Sequence, residues 1–313
     1  MCIIIIMRFL KEKNTLKGTI PFTSLMIALN IVFISIASYL PVGGYVFCLF
    51  LPLISALYCL NTKFKYYPIY FICSLGLGIA ATFQDFSMAL LYLLPALLQG
   101  LIFSVCIKHK VDGVLAYFYS SIILFICTVA VIPLVDFIYS TNTINNFLKI
   151  FNIDTIKEMS YFILAIIYLI SCAEVFIVYL VTEEELQKLG YKMIIYPSSS
   201  LQLIIVTALF GILTIVFWII KIENLAFLFL AASLVASLLL TIKLSKRGGV
   251  IANVAIFSSL ATSWIVYVFM IDYFGLLISF LIIVIYPLAI SMFALVYYIN
   301  DNATKSNKEG DTL

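Results

Sequence analysis

The chain has 313 residues, of which 65% are hydrophobic and only 11% are charged, and its formal net charge is +3. A chain with so few charges has too little polar surface to cover itself in water, which excludes a soluble globular protein and a disordered one. The composition therefore predicts an all-α polytopic membrane protein, and the small positive charge indicates no nucleic-acid partner.

Residues 1–19 predict a basic, cytoplasmic N-terminal tail. Its apolar start, Met1 to Ile6, is too short for the core of a secretory signal, and the positive residues follow it instead of preceding it. Met7 could serve as the start as well as Met1. We therefore expect the membrane part to begin near residue 20.

Ten apolar stretches follow the tail, separated by short polar segments. A transmembrane helix needs about 20 predominantly apolar residues, with a range of about 17–25. Because backbone groups in lipid must be hydrogen-bonded within their own segment, helices are expected even where Ile, Val and Phe are frequent. The predicted spans are residues 20–39, 42–60, 68–83, 86–107, 113–139, 159–181, 201–221, 224–242, 250–271 and 273–299.

Two segments between the spans are longer than a simple turn. Residues 140–158 have apolar side chains at helical spacing, which predicts a short amphipathic helix on the outer membrane surface. Residues 182–200 form a predicted cytoplasmic linker, in which Thr182 and Glu185 have the spacing of a capping box and Gly190 is typical of a helix end, so we expect one or two helical turns to continue from the sixth span into the linker. The linker divides a six-helix half, residues 20–181, from a four-helix half, residues 201–299, and residues 300–313 form a polar cytoplasmic tail.

The distribution of Lys and Arg predicts that both termini lie in the cytoplasm. With ten spans and the N-terminus inside, every one of the 18 Lys and Arg residues falls in a cytoplasmic segment except Lys149, Lys157 and Lys221. Such an asymmetry is what the positive-inside rule requires. We therefore expect a multi-pass protein of the plasma membrane.

Polar side chains at membrane depth are candidates for function because a charge inside a span is costly. Glu174 in the sixth span could bind a cation or a proton, pair with another helix, or reach toward the cytoplasmic interface. Asp136, near the outer end of the fifth span, is a similar candidate at a shallower depth in the membrane. Gln99 lies at mid-membrane in the fourth span, behind Pro95, where hydrogen bonding between helices is the alternative to ligand binding.

Two predicted outer turns carry residues that could close over a small ligand. The turn between the first two spans contains Gly44 and Tyr45, and the turn between the third and fourth spans contains Asp85. Glycine backbone with a few polar or aromatic groups suits a ligand, but any tight turn uses the same residue types. Both interpretations therefore stay open for these three residues.

Small residues spaced four apart allow helices to approach each other closely in lipid. Packing within the chain is the simpler interpretation of such sets, and docking of another membrane subunit is the alternative. The sets of small residues at this spacing are Ser24/Ala28, Ser74/Gly78/Thr82, Ala96/Gly100/Ser104, Ala232/Ala236 and Ala255/Ser259/Ser263.

The sequence contains no catalytic motif. His109 is the single histidine, so His-based metal clusters and Ser-His-Asp triads lack residues. There is no Walker-type phosphate-binding loop, no HExxH and no GxSxG sequence. The seven cysteines have no CxxC spacing and are typical of apolar packing residues. We therefore expect neither an enzyme nor a bound cofactor or metal.

The first half of the chain resembles a known family. The run from Thr23 to Asn30 follows a basic tail, a turn with Pro and Gly extends from Pro41 to Gly44, and the second span carries Leu51-Pro52-Leu53. The short third span contains Gly76 and Gly78, and the fourth contains Leu94-Pro95 and Gly100. Over residues 15–181 these features are similar to the substrate-binding S components of energy-coupling-factor (ECF) transporters. The closer likeness is to the larger YybS-type bacterial membrane proteins of unknown function.

This resemblance implies an S-component-like six-helix half that binds a small molecule and has no motor of its own. It also implies partners, namely an ATPase and a membrane coupling subunit. S components carry an Ala-x-x-x-Ala face on their first span for the coupling subunit, and Ser24 with Ala28 is the nearest equivalent here. These two residues are therefore the candidates for partner docking.

Three functions follow from these observations. The leading hypothesis is a membrane subunit that binds or transports a small molecule near the outer side. The second is a stand-alone ion-coupled transporter with Glu174 as the coupling acid, and the third is a membrane scaffold or regulator without transport. For the leading hypothesis the ligand-binding candidates are Gly44, Tyr45, Asp85, Gln99 and Asp136.

Overall fold

The computed structural model describes residues 16–40, 43–143, 161–193, 201–245 and 283–310, together with Ser258 and Ala261. Within these ranges the elements are helices and there is no β-strand. The all-α class that the composition predicts is thus confirmed for the described part of the chain.

The first half contains five helices. The second, α2, is interrupted by a turn at Leu49 and Phe50, and the third, α3, begins with a 3-10 turn at Phe64–Tyr66. The bounds are α1 Leu16–Tyr39, α2 Tyr45–Asn61, α3 Phe64–Ala81, α4 Phe86–Lys108 and α5 Gly113–Tyr139.

Four further helices are described in the rest of the chain. They are α6 Ile163–Lys188, α7 Leu201–Ile219, α8 Glu223–Ser245 and α9 Ile285–Gly310. The last helix extends beyond residue 299, into the segment predicted as a polar tail.

Seven of the described helices, α1 and α3 to α8, are long and apolar enough to cross a membrane. Helix α2 and the apolar part of α9, Ile285–Ile299, are shorter. Helices of this length and hydropathy require a lipid bilayer around them, so the chain is an integral, multi-pass membrane protein. The predicted number of ten spans is not confirmed, because most of residues 250–271 and the beginning of 273–299 lie outside the described residues. The amphipathic helix predicted at 140–158 lies outside them too, apart from residues 140–143.

Local sequence determines where several helices begin and end. Asp112 accepts a hydrogen bond from the Val114 amide at 3.0 Å and so caps the start of α5. Helix α6 ends before Gly190, whose φ of +86° is a left-handed conformation that glycine adopts readily. The structure differs from the prediction at Thr182, which lies inside α6 and not at a cap. The sequence from Glu183 to Lys188 consists of good helix formers, so the helix continues through it without a break.

The described helices separate into two compact units. The first contains residues 1–143 and 171–194, and the second contains residues 144–170 and 195–313. Helix α6 therefore contributes its first part to one unit and its second part to the other.

In the first unit α4 packs closely on α2 at Gly100. A Cβ atom at Gly100 would lie 2.5 Å from the carbonyl oxygen of Pro52 and 2.7 Å from the amide nitrogen of Ala56. Only a glycine allows the two backbones to approach this closely. For Gly100, packing within the chain is thus the correct interpretation of its small-residue set.

Buried hydrogen bonds also connect the helices of the first unit. Asn30 on α1 donates to the hydroxyl of Tyr70 on α3 at 2.7 Å. Tyr67 on α3 and Ser55 on α2 both donate to the carbonyl oxygen of Leu97 on α4, at 2.5 and 3.0 Å. These bonds satisfy polar groups away from water and fix how α1 to α4 are arranged.

The second unit shows the same kind of packing. A Cβ atom at Gly211 on α7 would lie 2.8 Å from the Leu288 side chain on α9. The hydroxyl groups of Thr241 on α8 and Tyr286 on α9 are 2.7 Å apart. Close backbone approach and interhelical hydrogen bonds therefore stabilise this unit as well.

Candidate functional site

A cavity of about 220 Å³ lies within the first unit. Helices α2, α4, α5 and α6 contribute its lining. It is larger than an engineered cavity of about 150 Å³ that binds benzene and smaller than the pockets of about 300–1,000 Å³ that hold drug-sized ligands. Its size suits a small molecule.

Helix α2 contributes one helical face to the cavity. This face follows directly from the turn at Gly43 and Gly44, in which Gly43 has a φ of +85°. Gly44 contacts α1, since a Cβ atom there would lie 2.8 Å from the carbonyl oxygen of Ala37. The turn thus determines where the face begins. Its residues, at the spacing i, i+3, i+4 and i+7, are Tyr45, Cys48, Leu49 and Pro52.

Helix α4 contributes a second face with the same spacing. It contains a π-helical turn at Ala89–Leu93, directly before Leu94-Pro95. Proline has no amide hydrogen for the preceding turn, and single π turns are frequent at functional sites. Tyr92 lies in this turn and faces the cavity, three residues before Pro95. The α4 residues in the lining are Tyr92, Pro95, Ala96 and Gln99.

The remaining lining comes from α5 and α6. Leu124 lies on α5, and Glu174 and Val178 lie one turn apart on α6. The carboxylate of Glu174 is close enough to the Cys48 thiol and the Tyr92 hydroxyl to interact with them electrostatically. Glu174 is the single charged residue among the lining residues.

Two polar side chains of the cavity have no partner within the described part of the chain. The hydrogen bonds and ion pairs found there include none to the carboxylate of Glu174 and none to the amide of Gln99. Gln99 is nevertheless only 3% exposed. Polar groups in a protein interior are generally hydrogen-bonded, so both side chains are available to a ligand.

Two aromatic rings lie on one side of the cavity. The ring centroids of Tyr45 and Tyr92 are 5.6 Å apart, and the ring planes make an angle of 54°. This tilted arrangement is typical of attractive aromatic pairs. Tyr45 is 51% exposed and lies at the edge of the cavity.

The structure brings together three of the residues that the sequence singles out. Tyr45 and Gln99, predicted to bind a ligand, and Glu174, predicted as a coupling acid, line the same cavity. Gly44 does not line it but precedes Tyr45 in the turn. That any of these residues binds a ligand stays a prediction.

Asp85 and Asp136 are not part of the cavity lining. Asp136 accepts hydrogen bonds from the Thr141 hydroxyl at 2.9 Å and from the Thr143 amide at 2.9 Å, just beyond the end of α5. Asp85 accepts a hydrogen bond from the Ser87 hydroxyl at the start of α4. In the structure the Asp136 carboxylate therefore organises the backbone after α5, whereas the Asp85 carboxylate bonds to a neighbouring side chain at the start of α4.

Sequence reasoning missed Tyr92, Cys48 and Pro52. Helical spacing could have found them, because Tyr92 lies three residues before Pro95 and seven before Gln99 on the same face. The same spacing leads from Tyr45 to Cys48 and Pro52. The π turn itself has no sequence pattern apart from the proline.

The docking candidates Ser24 and Ala28 lie on an exposed face of α1. Ser24 donates a hydrogen bond to the Ile20 carbonyl oxygen at 3.1 Å, within its own helix. It also borders a second cavity, of about 360 Å³, which Tyr58 and Cys73 line as well. Docking at this face is a prediction that the structure leaves open.

No arrangement for a metal ion is present in the parts of the chain that the structure describes. There, no three side chains of His, Cys, Asp or Glu come together in one place. The cavity itself offers one carboxylate, one amide and one thiol among mostly apolar groups.

Comparisons with known proteins give no relative for this chain. No family model, no curated protein and no solved structure matches the sequence or the fold. Its cavity is therefore the main evidence for its function, and the resemblance to S components remains an expectation.

Proposed function

We propose that this protein is a membrane subunit that binds or transports a small molecule and has no ATPase of its own. The supporting observation is the cavity of the first unit, which holds Glu174 and Gln99 without protein partners among the described residues. An ionisable or amide side chain in a membrane span is costly and is retained mostly for function. A cavity with a few polar groups in apolar surroundings is the usual form of a ligand site.

Native mass spectrometry of the protein released gently from its own membranes tests this proposal. We expect the wild type to carry a bound small molecule, and the variant Ala96→Leu to lose it, because Ala96 lines the cavity and the larger side chain fills it. Ala130→Leu is the matched control, since Ala130 is exposed on α5. A bound molecule that persists in Ala96→Leu, or a wild type that carries none, contradicts the proposal.

The proposal includes an external source of energy, namely a partner ATPase with a coupling subunit. The exposed face of α1 at Ser24 and Ala28 supports a docking position there. Purification of the tagged protein from native membranes is expected to recover both partners. The variant Ala28→Trp is expected to lose them, whereas Ala130→Trp on α5 retains them. Recovery of other partners without a bound small molecule supports the scaffold hypothesis instead.

A second function, stand-alone ion-coupled transport, is favoured by the position of Glu174. A carboxyl group inside a ligand cavity can exchange a proton or hold a cation each time the ligand binds. This function predicts that uptake of the bound compound into vesicles stops with an uncoupler and is lost in Glu174→Gln. Uptake that continues in both conditions excludes it.

A further inference from the structure

We propose that the ligand of this cavity is a small organic cation, an ammonium compound without a carboxylate, which Glu174 binds as counter-ion and the Tyr45 and Tyr92 rings contact from one side. The inference rests on the proposed function, because it requires the cavity to be the binding site. It adds the chemical class of the ligand.

The charge of the cavity lining indicates a positively charged ligand. Glu174 is the single charged lining residue, and the lining contains no Lys, Arg or His. The described residues also include no ion pair to Glu174. Ionisable groups at membrane depth are almost always paired with an opposite charge or a polar partner. A ligand with one positive charge supplies the missing partner.

The aromatic pair of Tyr45 and Tyr92 also favours a cation. The Tyr45 and Tyr92 rings are tilted by 54° at a centroid distance of 5.6 Å, so they form a corner and not a flat stack. Ring faces attract cations within about 6 Å of their centroids, and groups of aromatic rings bind quaternary ammonium compounds. Tyr92 also interacts electrostatically with Glu174, so a cation beside this ring is close to the carboxylate as well.

The remaining lining favours an organic cation over a metal ion. Metal ions such as Ca²⁺ take six to eight oxygen ligands, and Zn²⁺ takes four nitrogen, sulfur or oxygen ligands. The cavity has Leu49, Pro52, Ala96, Leu124 and Val178 around the polar groups. Its volume of about 220 Å³ accommodates the carbon atoms of an alkyl- or aryl-ammonium compound next to these apolar side chains.

The same lining excludes amino acids and other zwitterions. A ligand carboxylate in this cavity would meet the negative charge of Glu174 and no basic side chain of the lining. Like charges in a medium of low dielectric constant repel each other strongly. Gln99 can donate or accept a hydrogen bond and so contributes to the orientation of a hydroxyl or ammonium group.

Calorimetric titration of the full-length protein in lipid nanodiscs tests the inference. The probes are choline and phenethylamine, each compared with a neutral analogue. For choline the analogue has a tert-butyl group in place of the trimethylammonium group, so the shape is the same and the charge is absent. Glycine betaine is the zwitterionic probe. We expect at least one of the two cations to bind, and the neutral analogues and betaine to bind at least about tenfold more weakly.

Variants at Glu174 and Tyr92 distinguish the role of the carboxylate from that of the aromatic ring. Glu174→Gln is expected to weaken binding of the cation by about tenfold or more, and Glu184→Gln, an exposed change on the same helix, is the matched control. Tyr92→Phe keeps the ring face and is expected to bind normally, whereas Tyr92→Leu is expected to bind about threefold to tenfold more weakly. Unchanged thermal unfolding of each variant in the nanodisc shows that the fold is intact.

Three results overturn the inference. They are equal affinity for a cation and its neutral analogue, unchanged affinity in Glu174→Gln, and no binding of either cation. If native mass spectrometry still finds a molecule that Ala96→Leu loses, only the cation class is wrong and the binding function stands. If it finds none and neither cation binds, the proposed function fails as well.

Discussion

At the scale of single residues, the polar side chains inside the first unit fall into two groups, which differ in their partners. Tyr67 and Ser55 donate to the Leu97 carbonyl oxygen and so stabilise the contact of three helices. Glu174 and Gln99 have no such bonds within the described residues. Gln99 is buried and Glu174 half-buried in a membrane-spanning helix, where polar groups without partners cost free energy, so the second pair is the one whose presence a ligand explains.

The contact at Gly100 gives a prediction about stability. In Gly100→Ala the new Cβ would lie 2.5 Å from the Pro52 oxygen and 2.7 Å from the Ala56 nitrogen, and backbone atoms cannot move aside easily. We expect the free energy of unfolding in detergent to fall by about 1–3 kcal/mol. Gly76→Ala is the control, because a Cβ there has no neighbour within 4 Å. Equal unfolding midpoints for the two variants would refute the close packing of α2 and α4.

At the scale of elements, two regular turns of α4 place the aromatic and amide groups on one face, because Tyr92 and Gln99 are seven residues apart. The π turn at Ala89–Leu93 contains an additional residue, which rotates the part of the helix before the turn relative to the part after it. The turn therefore determines how the start of α4 is oriented relative to the face that lines the cavity.

Replacing the proline next to this turn tests its part in the cavity. Pro95→Ala removes a ring from the cavity lining and restores an amide hydrogen, so that the π turn can become a regular α turn. We expect cation affinity to fall by about threefold or more, while the unfolding midpoint stays the same or rises. Pro68→Ala in the first turn of the α3 helix, where a proline costs nothing, is the control. Unchanged affinity in Pro95→Ala would show that neither the Pro95 ring nor the π turn contributes to cation binding.

The extent of the helices was largely predictable from the sequence, and the direction of individual side chains was not. The stretches predicted at 86–107 and 113–139 correspond to α4 Phe86–Lys108 and α5 Gly113–Tyr139, because apolar length alone determines them. Whether a polar residue such as Asp136 faces a cavity or holds the turn after its helix depends on local backbone geometry and on packing. A single sequence contains neither. The grouping of Tyr45 and Gln99 in one cavity was predicted as a hypothesis, and Tyr92 was missed.

At the scale of the whole molecule, the orientation in the membrane is still a prediction from Lys and Arg. It can be tested by cysteine labelling in a variant that lacks the seven native cysteines. A cysteine at His109, between α4 and α5, is expected to react with a membrane-impermeant maleimide only from the cytoplasmic side, and one at Thr141, after α5, only from the outside. The reverse pattern would invert the orientation, and labelling of both from one side would show that α5 does not cross the membrane.

Chemical protection of the Glu174 carboxyl group tests whether a small cation occupies the cavity. A hydrophobic carbodiimide modifies carboxyl groups inside membrane proteins, and peptide mass spectrometry measures the modified fraction at each site. We expect a saturating concentration of the cation that binds in the calorimetric titration to lower modification of Glu174 by about tenfold and to leave exposed Glu184 unchanged. Equal modification of Glu174 with and without the cation would contradict it.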